Sequence, residues 1–389
     1  MKLSLATNFD DNLIDLIKDY PVYELYGKLK EDMIGGGRPA SSFGLISKEN
    51  LENHVKKTRS VGIKFNYLLN GGCIGNQECI KEWQKDFRGF LDYLASINVN
   101  ALTVSNPILL KIIKKYYDCF DVRISIFACV DSLEKALYWE DMGADYICAD
   151  VMNINRNFDV LKKITQNLTS AKLELLANVS CLKSCPMIHT HANWNAHASN
   201  GDQDTNKFID YCILYCQKKE LEDASRYIKS GWIRPEDIAV YEKIGIEHFK
   251  LTERNIPTNE LVKRVKAYSN RYYKGNLLDL VQGHGFCSSG CVDTVFSDRE
   301  EFKKMDCKAI INLLSDIRGM GKERKCQQHV YIDNQKLKGF IQFFIQNRCT
   351  GNCKQCGYCK KISDTVITEN TEIKKLMLEL YNRFDENFI

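Results

Sequence analysis

The residues best equipped for chemistry in this chain are its cysteines, of which there are 17 among 389 residues. Four arrive as two pairs in mid-chain, Cys181-x3-Cys185 and Cys212-x3-Cys216. Four more form the densest run, Cys349-x3-Cys353-x2-Cys356-x2-Cys359. Four thiolates can wrap a [4Fe–4S] cluster or hold a tetrahedral zinc, and closely spaced pairs suit either. The late run repeats at the interval of a ferredoxin loop, which lets consecutive thiolates surround one cluster. Two [4Fe–4S] clusters are therefore expected, with zinc the alternative at either site. The bland alternative is that Cys212 and Cys216, one helical turn apart beside Ile213 and Leu214, are core residues. Cys349, Cys353 and Cys356 also have the C-x3-C-x2-C spacing of radical S-adenosylmethionine enzymes. That class places its barrel after the motif, and only residues 360–389 follow Cys359, so it is rejected.

Other polar side chains stand where they could join such a site. His189, His191 and His197 lie just after the first cysteine pair, where substrate contact or proton transfer competes with plain polar surface. Lys250, Glu253 and Arg254 leave an apolar run. Arg254 could hold a carboxylate or phosphate through two parallel hydrogen bonds, against a simple salt bridge to Glu253. Glu174 interrupts an apolar strand, so its carboxylate must be paired or functional; Asp150 and Asn66 are weaker candidates of the same kind. Gly35-Gly36-Gly37-Arg38 could cradle an anion with backbone N–H groups, or form a mobile loop. No H-e-x-x-H zinc-protease motif and no recognisable hydrolytic nucleophile signature occurs.

The composition frames these readings. A hydrophobic content of 44% and a charged content of 27% belong to an ordinary globular protein. The net charge of +4 is too small to argue for nucleic acid by itself. Apolar runs break well before the roughly 20 residues that span a bilayer, and Met1–Leu5 lacks the apolar core of a signal peptide. A cytoplasmic location with no membrane partner is expected, where clustered cysteines bind metal more often than they form disulfides. Cys119, Cys129 and Cys148 sit in or beside apolar runs and read as plain buried core residues. Cys73 and Cys79 flank a Gly-rich turn and could go either way, the plain structural reading being preferred for all five.

The elements that must position the cysteines alternate. Strands are expected at Lys2–Thr7, Val22–Gly27, Ile63–Leu69, Ala101–Ser105, Val122–Ala128, Asp145–Asp150, Lys172–Asn178 and His248–Thr252. Helices are expected at Asp10–Lys18, Ser47–Ser60, Ile80–Ser96, from Pro107, after Asp131 or Ser132, at Phe158–Gln166, Pro235–Ile244 and Asn259–Tyr273. Eight strands, each followed by a helix or an enlarged loop, predict a (β/α)8 TIM-type barrel over residues 1–274, with an insertion at 186–230. An open doubly wound sheet is the runner-up, and no dinucleotide fingerprint supports it. In a barrel the chemistry sits at the C-terminal ends of the strands, which puts Cys181 and Cys185 on the catalytic rim. Residues 275–389 are expected to form a small Cys-rich C-terminal domain, also containing Cys287, Cys291, Cys307 and Cys326, closed by a helix from Thr371 to Phe384.

Several of these segments, in order, resemble the peptidase U32 (collagenase-like) superfamily. Tyr23–Gly27 with Gly37-Arg38 is similar to its second-strand region, and Ala101–Pro107 to its fourth strand entering a helix. Phe249–Arg254 followed by Val265-Lys266-Ala267-Tyr268 is similar to its "L-K-I-E-G-R…V-x-A-Y" segment. Glu174, Cys181 and Cys185 fall where the family has its Glu and first cysteines. The chain departs from the family's "H-G-x-x-C…S-G-x-C" signature after the seventh strand, having Asn178-Val179-Ser180-Cys181 there. A similar fragment, His284–Cys291, occurs downstream. The resemblance implies a barrel with a four-cysteine iron–sulfur cluster at its rim. It also implies oxygen-independent hydroxylation or a related oxidoreduction of a small organic or peptide substrate, coupled to an electron donor or acceptor protein. The alternatives are a U32-type peptidase, an RNA-modifying enzyme for which Lys263, Arg264, Lys266, Arg271 and Lys274 would supply a basic face, and a non-catalytic iron–sulfur or zinc maturation protein.

Overall fold

Eight parallel strands close on one another in the computed structural model, which describes residues 1–38, 46–200, 210–254, 256–281 and 329–388. They are β1 (Lys2–Ala6), β2 (Val22–Gly27), β3 (Lys64–Leu69), β4 (Ala101–Val104), β5 (Asp121–Ile124), β6 (Tyr146–Cys148), β7 (Lys172–Leu176) and β8 (His248–Leu251). Each pairs with the next, and β8 returns to β1 through Lys2↔His248 to Leu5↔Leu251. This is the expected (β/α)8 barrel, and the doubly wound sheet is excluded because both edges are paired.

Local chemistry sets the helices. They are α1 (Asp11–Ile17), α2 (Lys48–Ser60), α3 (Lys81–Ser96), α4 (Pro107–Tyr116), α5 (Leu133–Asp141), α6 (Phe158–Asn167), α7 (Ile188–His197), α8 (Tyr211–Glu222), α9 (Ser225–Lys229), α10 (Ile238–Glu242) and α11 (Thr258–Ser269). Asp10, Ser47, Asn106, Ser132 and Asn157 each accept a first-turn N–H, and Pro107 follows its cap at a position that needs no donor. Leu109, Leu110, Ile112 and Ile113 bury the inner face of α4 against the sheet.

Three expected boundaries are corrected. The strand read as Val122–Ala128 stops at Ile124, because Ser125 caps a 3-10 turn over Ile126–Ala128. The strand read as Asp145–Asp150 keeps only Tyr146–Cys148, plus an isolated bridge from Val130 to Ala149. The helix read from Pro235 begins as a 3-10 turn, Pro235–Asp237, before α10.

The barrel interior is polar at mid-height. Arg123 sits with its Nη2 2.7 Å from Glu24 Oε2 and its Nη1 3.7 Å from Glu174 Oε1. Ser4 Oγ and Asn66 Nδ2 donate to Glu24 Oε1, and Thr103 Oγ1 donates to Asn66 Oδ1. A charge this deep persists only when paired and hydrogen-bonded. Burial raises the Glu24 carboxyl while Arg123 opposes the rise.

The C-terminal residues pack onto the barrel rather than beside it. Val330, Ile332, Leu337, Phe340, Phe344 and Val366 belong to the same apolar cluster as the strands and barrel helices. Strands β9 (Val330–Ile332) and β10 (Ile367–Glu369) form an antiparallel pair. The Arg234 guanidinium donates to Asn334 Oδ1 and the Leu337 carbonyl, locking this region to the segment before β8. The final helix, Thr371–Phe388, lies on α8, where Tyr381 donates to Gln217 and Lys218 pairs with Asp385 at 2.6 Å.

Candidate active site

The chain leaves β7 through Asn178, whose carboxamide fixes the rim. Its Oδ1 accepts from Thr252 N at 2.7 Å, and its Nδ2 donates to the Leu280 carbonyl at 3.1 Å. The ends of β7 and β8 are thereby tied to each other, three residues before Cys181. Cys181 and Cys185 then pack beside Cys148, Val151, Met152, Leu176 and Val179. Ser184 adopts φ +52, the left-handed turn that brings Cys185 back towards Cys181.

The second pair comes from α8, one turn apart and buried, facing the first pair. Asp210 caps that helix through Ile213 N, and its other oxygen lies 3.1 Å from His191 Nε2 on α7. Cys216 donates a hydrogen bond to Cys185, and this holds the Cys185 thiol down to about 6, helped by the Met187 N–H and by His191. The same bond pushes the Cys216 thiol up. Burial pushes Cys181 up to about 12, with the Cys185 charge adding and Arg38 opposing. Cys212 is likewise raised to about 12 by burial, with Asp210 and Cys185 adding. Cys185 therefore lies within electrostatic reach of Cys181, Cys212 and Cys216, and Cys216 within reach of Cys181. Cys212 and Cys216 are buried, as the core reading required, but against the first pair of thiols. Among the described residues, no three His, Cys, Asp or Glu side chains already stand as the ligand sphere of a single metal ion.

Glu220, one turn beyond Cys216, is a site residue that its sequence context gave no reason to choose. It is buried facing Cys181 and Cys216, and burial raises its carboxyl to about 8 against the Tyr227 hydrogen bond. A carboxyl kept protonated near neutral pH adds no negative charge beside the thiols.

The barrel mouth lies next to these cysteines. Lys250 Nζ stands 4.2 Å from the Tyr26 ring centre and 4.0 Å from Glu174 Oε2. Tyr26 donates to the Leu251 carbonyl at 2.9 Å. Arg254 is buried in the field of Tyr26, Arg38, Tyr67 and Asp32, and burial lowers it to about 10. Arg38 faces both Arg254 and Cys181, so the mouth and the thiols share a cationic neighbour. The salt bridge weighed for Arg254 goes elsewhere: Glu253 pairs with Arg264 at 3.0 Å, while its backbone is held at φ +93. That conformation is costly for a side chain with a Cβ and is anchored here by a buried ion pair.

The remaining candidates separate. Glu174 points into the barrel, paired with Arg123 and Lys250 and accepting from Tyr23 at 3.3 Å. His189 is exposed on α7, whereas His191 faces Cys185. Asp150 caps the turn after β6 through Met152 N. Asn66 belongs to the Glu24 network. The glycine loop is not an anion cradle over its described part: Asp32 Oδ1 accepts from Ile34 N and Gly35 N, and Ser199 Oγ from Gly36 N. A Cβ on Gly35 would lie 2.3 Å from the Ala196 carbonyl, so this loop must be glycine to pack on α7. Of the basic face considered for RNA, Arg264 is buried against Glu253 and Arg271 pairs with Glu242. Cys287, Cys291, Cys307, Cys326 and the His284–Cys291 fragment lie outside the described residues.

Cys349, Cys353, Cys356 and Cys359 come together on one cavity of about 480 Å³ between the C-terminal segment and the loops after β6 and β7. Lys183, from between Cys181 and Cys185, donates to Cys353 Sγ at 3.8 Å. The two cysteine groups are thus neighbours in space.

Comparison with known proteins agrees with this architecture. The chain is 27% identical over 345 residues, 89% of each protein, to an uncharacterized protease of Methanocaldococcus jannaschii. It is 21% identical over 151 residues to tRNA hydroxylation protein P of Haemophilus influenzae, covering 38% of this chain and 31% of that protein. The solved structure of the U32 peptidase Mk0906 superposes with a TM-score of 0.50 at 20% identity, covering 66% of this chain and 94% of that one. No described helix is long and apolar enough to cross a membrane. The profile of peptidase family U32 matches residues 41–275, which contain six of the eight barrel strands, β3 to β8, and the chain belongs to that family.

Proposed function

We propose that this protein is an iron–sulfur oxidoreductase whose rim cysteines, Cys181, Cys185, Cys212 and Cys216, hold one [4Fe–4S] cluster beside a substrate site in the barrel mouth. The observation that carries this reading is the meeting of two distant cysteine pairs, with Cys216 donating to Cys185 and Cys181 and Cys212 in range. The donor set fits: four thiols, one already thiolate-prone, with a protonated Glu220 behind them. A bound cluster would supply one-electron transfer. The chain's own residues supply the rest. Arg38 and Arg254 favour a substrate bearing a carboxylate or phosphate, and Lys250 and Tyr26 line the wall beneath it. Packing of Cys181 and Cys185 against Met152, Leu176 and Val179 half-buries the two thiols beside an apolar wall. A small organic or peptide substrate and an electron-carrying protein partner complete the scheme. An RNA substrate is the variant supported by the relative named as a tRNA hydroxylation protein.

A hydrolytic reading has one observation in its favour, the row Cys185, His191, Asp210. It is weaker because the hydrogen-bond partner of Cys185 is Cys216, while His191 Nε2 is directed at Asp210. Iron, sulfide and zinc content of protein purified without oxygen decides between them. Loss of about four irons in Cys181→Ala and Cys216→Ala supports the cluster. Iron-free wild-type protein that cleaves peptides and loses this activity in Cys185→Ala would refute it.

A further inference from the structure

We infer that the C-terminal segment builds a second metal centre, independent of the rim. Cys349, Cys353, Cys356 and Cys359 would ligate an iron–sulfur cluster in the cavity they share with Lys183 and Arg156.

The local structure is arranged to present these four sulfurs. Phe343 stacks on Tyr358 at 3.8 Å between ring centres and 7° between planes, and Tyr358 donates to the Phe340 carbonyl at 3.2 Å. That stack fixes Tyr358, the first residue of the following helix, Tyr358–Val366, which carries Cys359. Asn352 caps the single turn Cys353–Cys356 through Gln355 N, and Gly357 reverses the chain at φ +63 between Cys356 and Cys359. Gly351, at φ +76, does the same between Cys349 and Cys353. Two left-handed glycines in seven residues fold a short sequence into a cup with thiols around its wall.

The charge of the cup is matched from the barrel side. The guanidinium of Arg156 donates to the carbonyls of Ile228 and Trp232 and stacks on Trp232, which pins it in place. Its Nε is buried without a hydrogen-bond partner, and its charge faces Cys349 and Cys359. Lys183 reaches Cys353 Sγ at 3.8 Å. Two cations oriented on this cavity would offset the negative charge of a thiolate-ligated metal group.

Size selects the occupant. One zinc holds its sulfurs at about 2.3 Å, which draws all four close around a point. Here no three cysteines are already so drawn, and the four are spread round a cavity of about 480 Å³. A cubane cluster takes its thiolates at four separate corners and suits that spread, as does the repeated Cys-x2-Cys interval.

The test uses the full-length protein, purified without oxygen and reconstituted with ferrous iron and sulfide. Wild type and Cys353→Ser/Cys356→Ser are compared for iron, sulfide and zinc per chain, with circular dichroism as the check on folding. Loss of about four irons and four sulfides from the folded variant, with Cys181→Ala/Cys185→Ala losing a different set, supports the second centre. Unchanged iron in the variant, or loss of about one zinc in its place, overturns it. Should the variant fail to fold, alkylation of wild type settles the matter: Cys349, Cys353, Cys356 and Cys359 protected from iodoacetamide until an iron chelator is added supports the centre, and equal labelling with or without chelator overturns it. The rim reading fails separately, through the Cys181 and Cys185 variant alone.

Discussion

Arg123 and Glu24 form an ion pair of 2.7 Å at the centre of the barrel, and neither side chain has more than 1% of its surface exposed. Around it Glu174, Ser4, Asn66 and Lys250 fill a space that most barrels fill with branched aliphatics. A buried pair of this kind gains little over apolar packing, yet removing one partner strands the other. Arg123→Met should therefore cost on the order of 3–5 kcal/mol in urea unfolding. Arg123→Met combined with Glu24→Leu should recover part of that loss. Additive losses in the double variant would contradict the pairing.

The His248 ring, wedged edge-on between Tyr23 and Tyr146, makes the fold acid-sensitive. Burial and the nearby Arg123, Lys2 and Lys172 lower it to about 3, so it stays neutral in the folded protein. An unfolded histidine takes up a proton near pH 6.5, so this contribution is complete above that pH and is lost as pH falls towards 3. His329, lowered to about 4 by burial, acts in the same direction. Between pH 7 and pH 5 wild type should lose on the order of 1–2 kcal/mol more than His248→Phe, read from melting curves at each pH. Parallel curves would remove His248 as the cause.

Gly231 touches the backbone across the rim, where an added Cβ would lie 1.9 Å from the Val151 carbonyl oxygen. Its own carbonyl accepts from Asn155 Nδ2 at 2.8 Å, so the contact cannot relax without breaking that bond. Gly231→Ala should destabilise by about 1–3 kcal/mol and displace the loop after β6 that carries Val151. Gly89→Ala, on α3 with open space around it, is the control and should be neutral or slightly stabilising. Denaturant midpoints of the two variants make the comparison.

The final helix holds α8 in place through Tyr381 and Gln217 and through Lys218 and Asp385. Deleting residues 371–389 should leave the barrel strands protected while the amides of α8 exchange faster, by tenfold or more for a loss of about 1.4 kcal/mol. Hydrogen exchange resolved by peptide would show it. Unchanged exchange over 211–222 would mean that the rim cysteines on α8 do not depend on the C-terminal helix.

The sequence by itself determined the barrel. Eight apolar runs alternating with capped helical periods leave few ways to bury both faces of each strand, and closure is the one that pairs every edge. It also marked which cysteines belong together within each run, since Cys349 to Cys359 are too close in sequence to part. Only the tertiary structure decided what those groups face. Cys185 meets Cys216 across 31 positions of chain, and Lys183 meets Cys353 across 170, because β7 and the C-terminal segment arrive at the same side of the rim. Arg123 and Glu24 each look like a lone charge in an apolar stretch and Glu220 like one more charge in a solvated helical run, and nothing local says what will surround them. Partners of buried charges come from other strands and helices, so their roles are settled by packing and not by spacing.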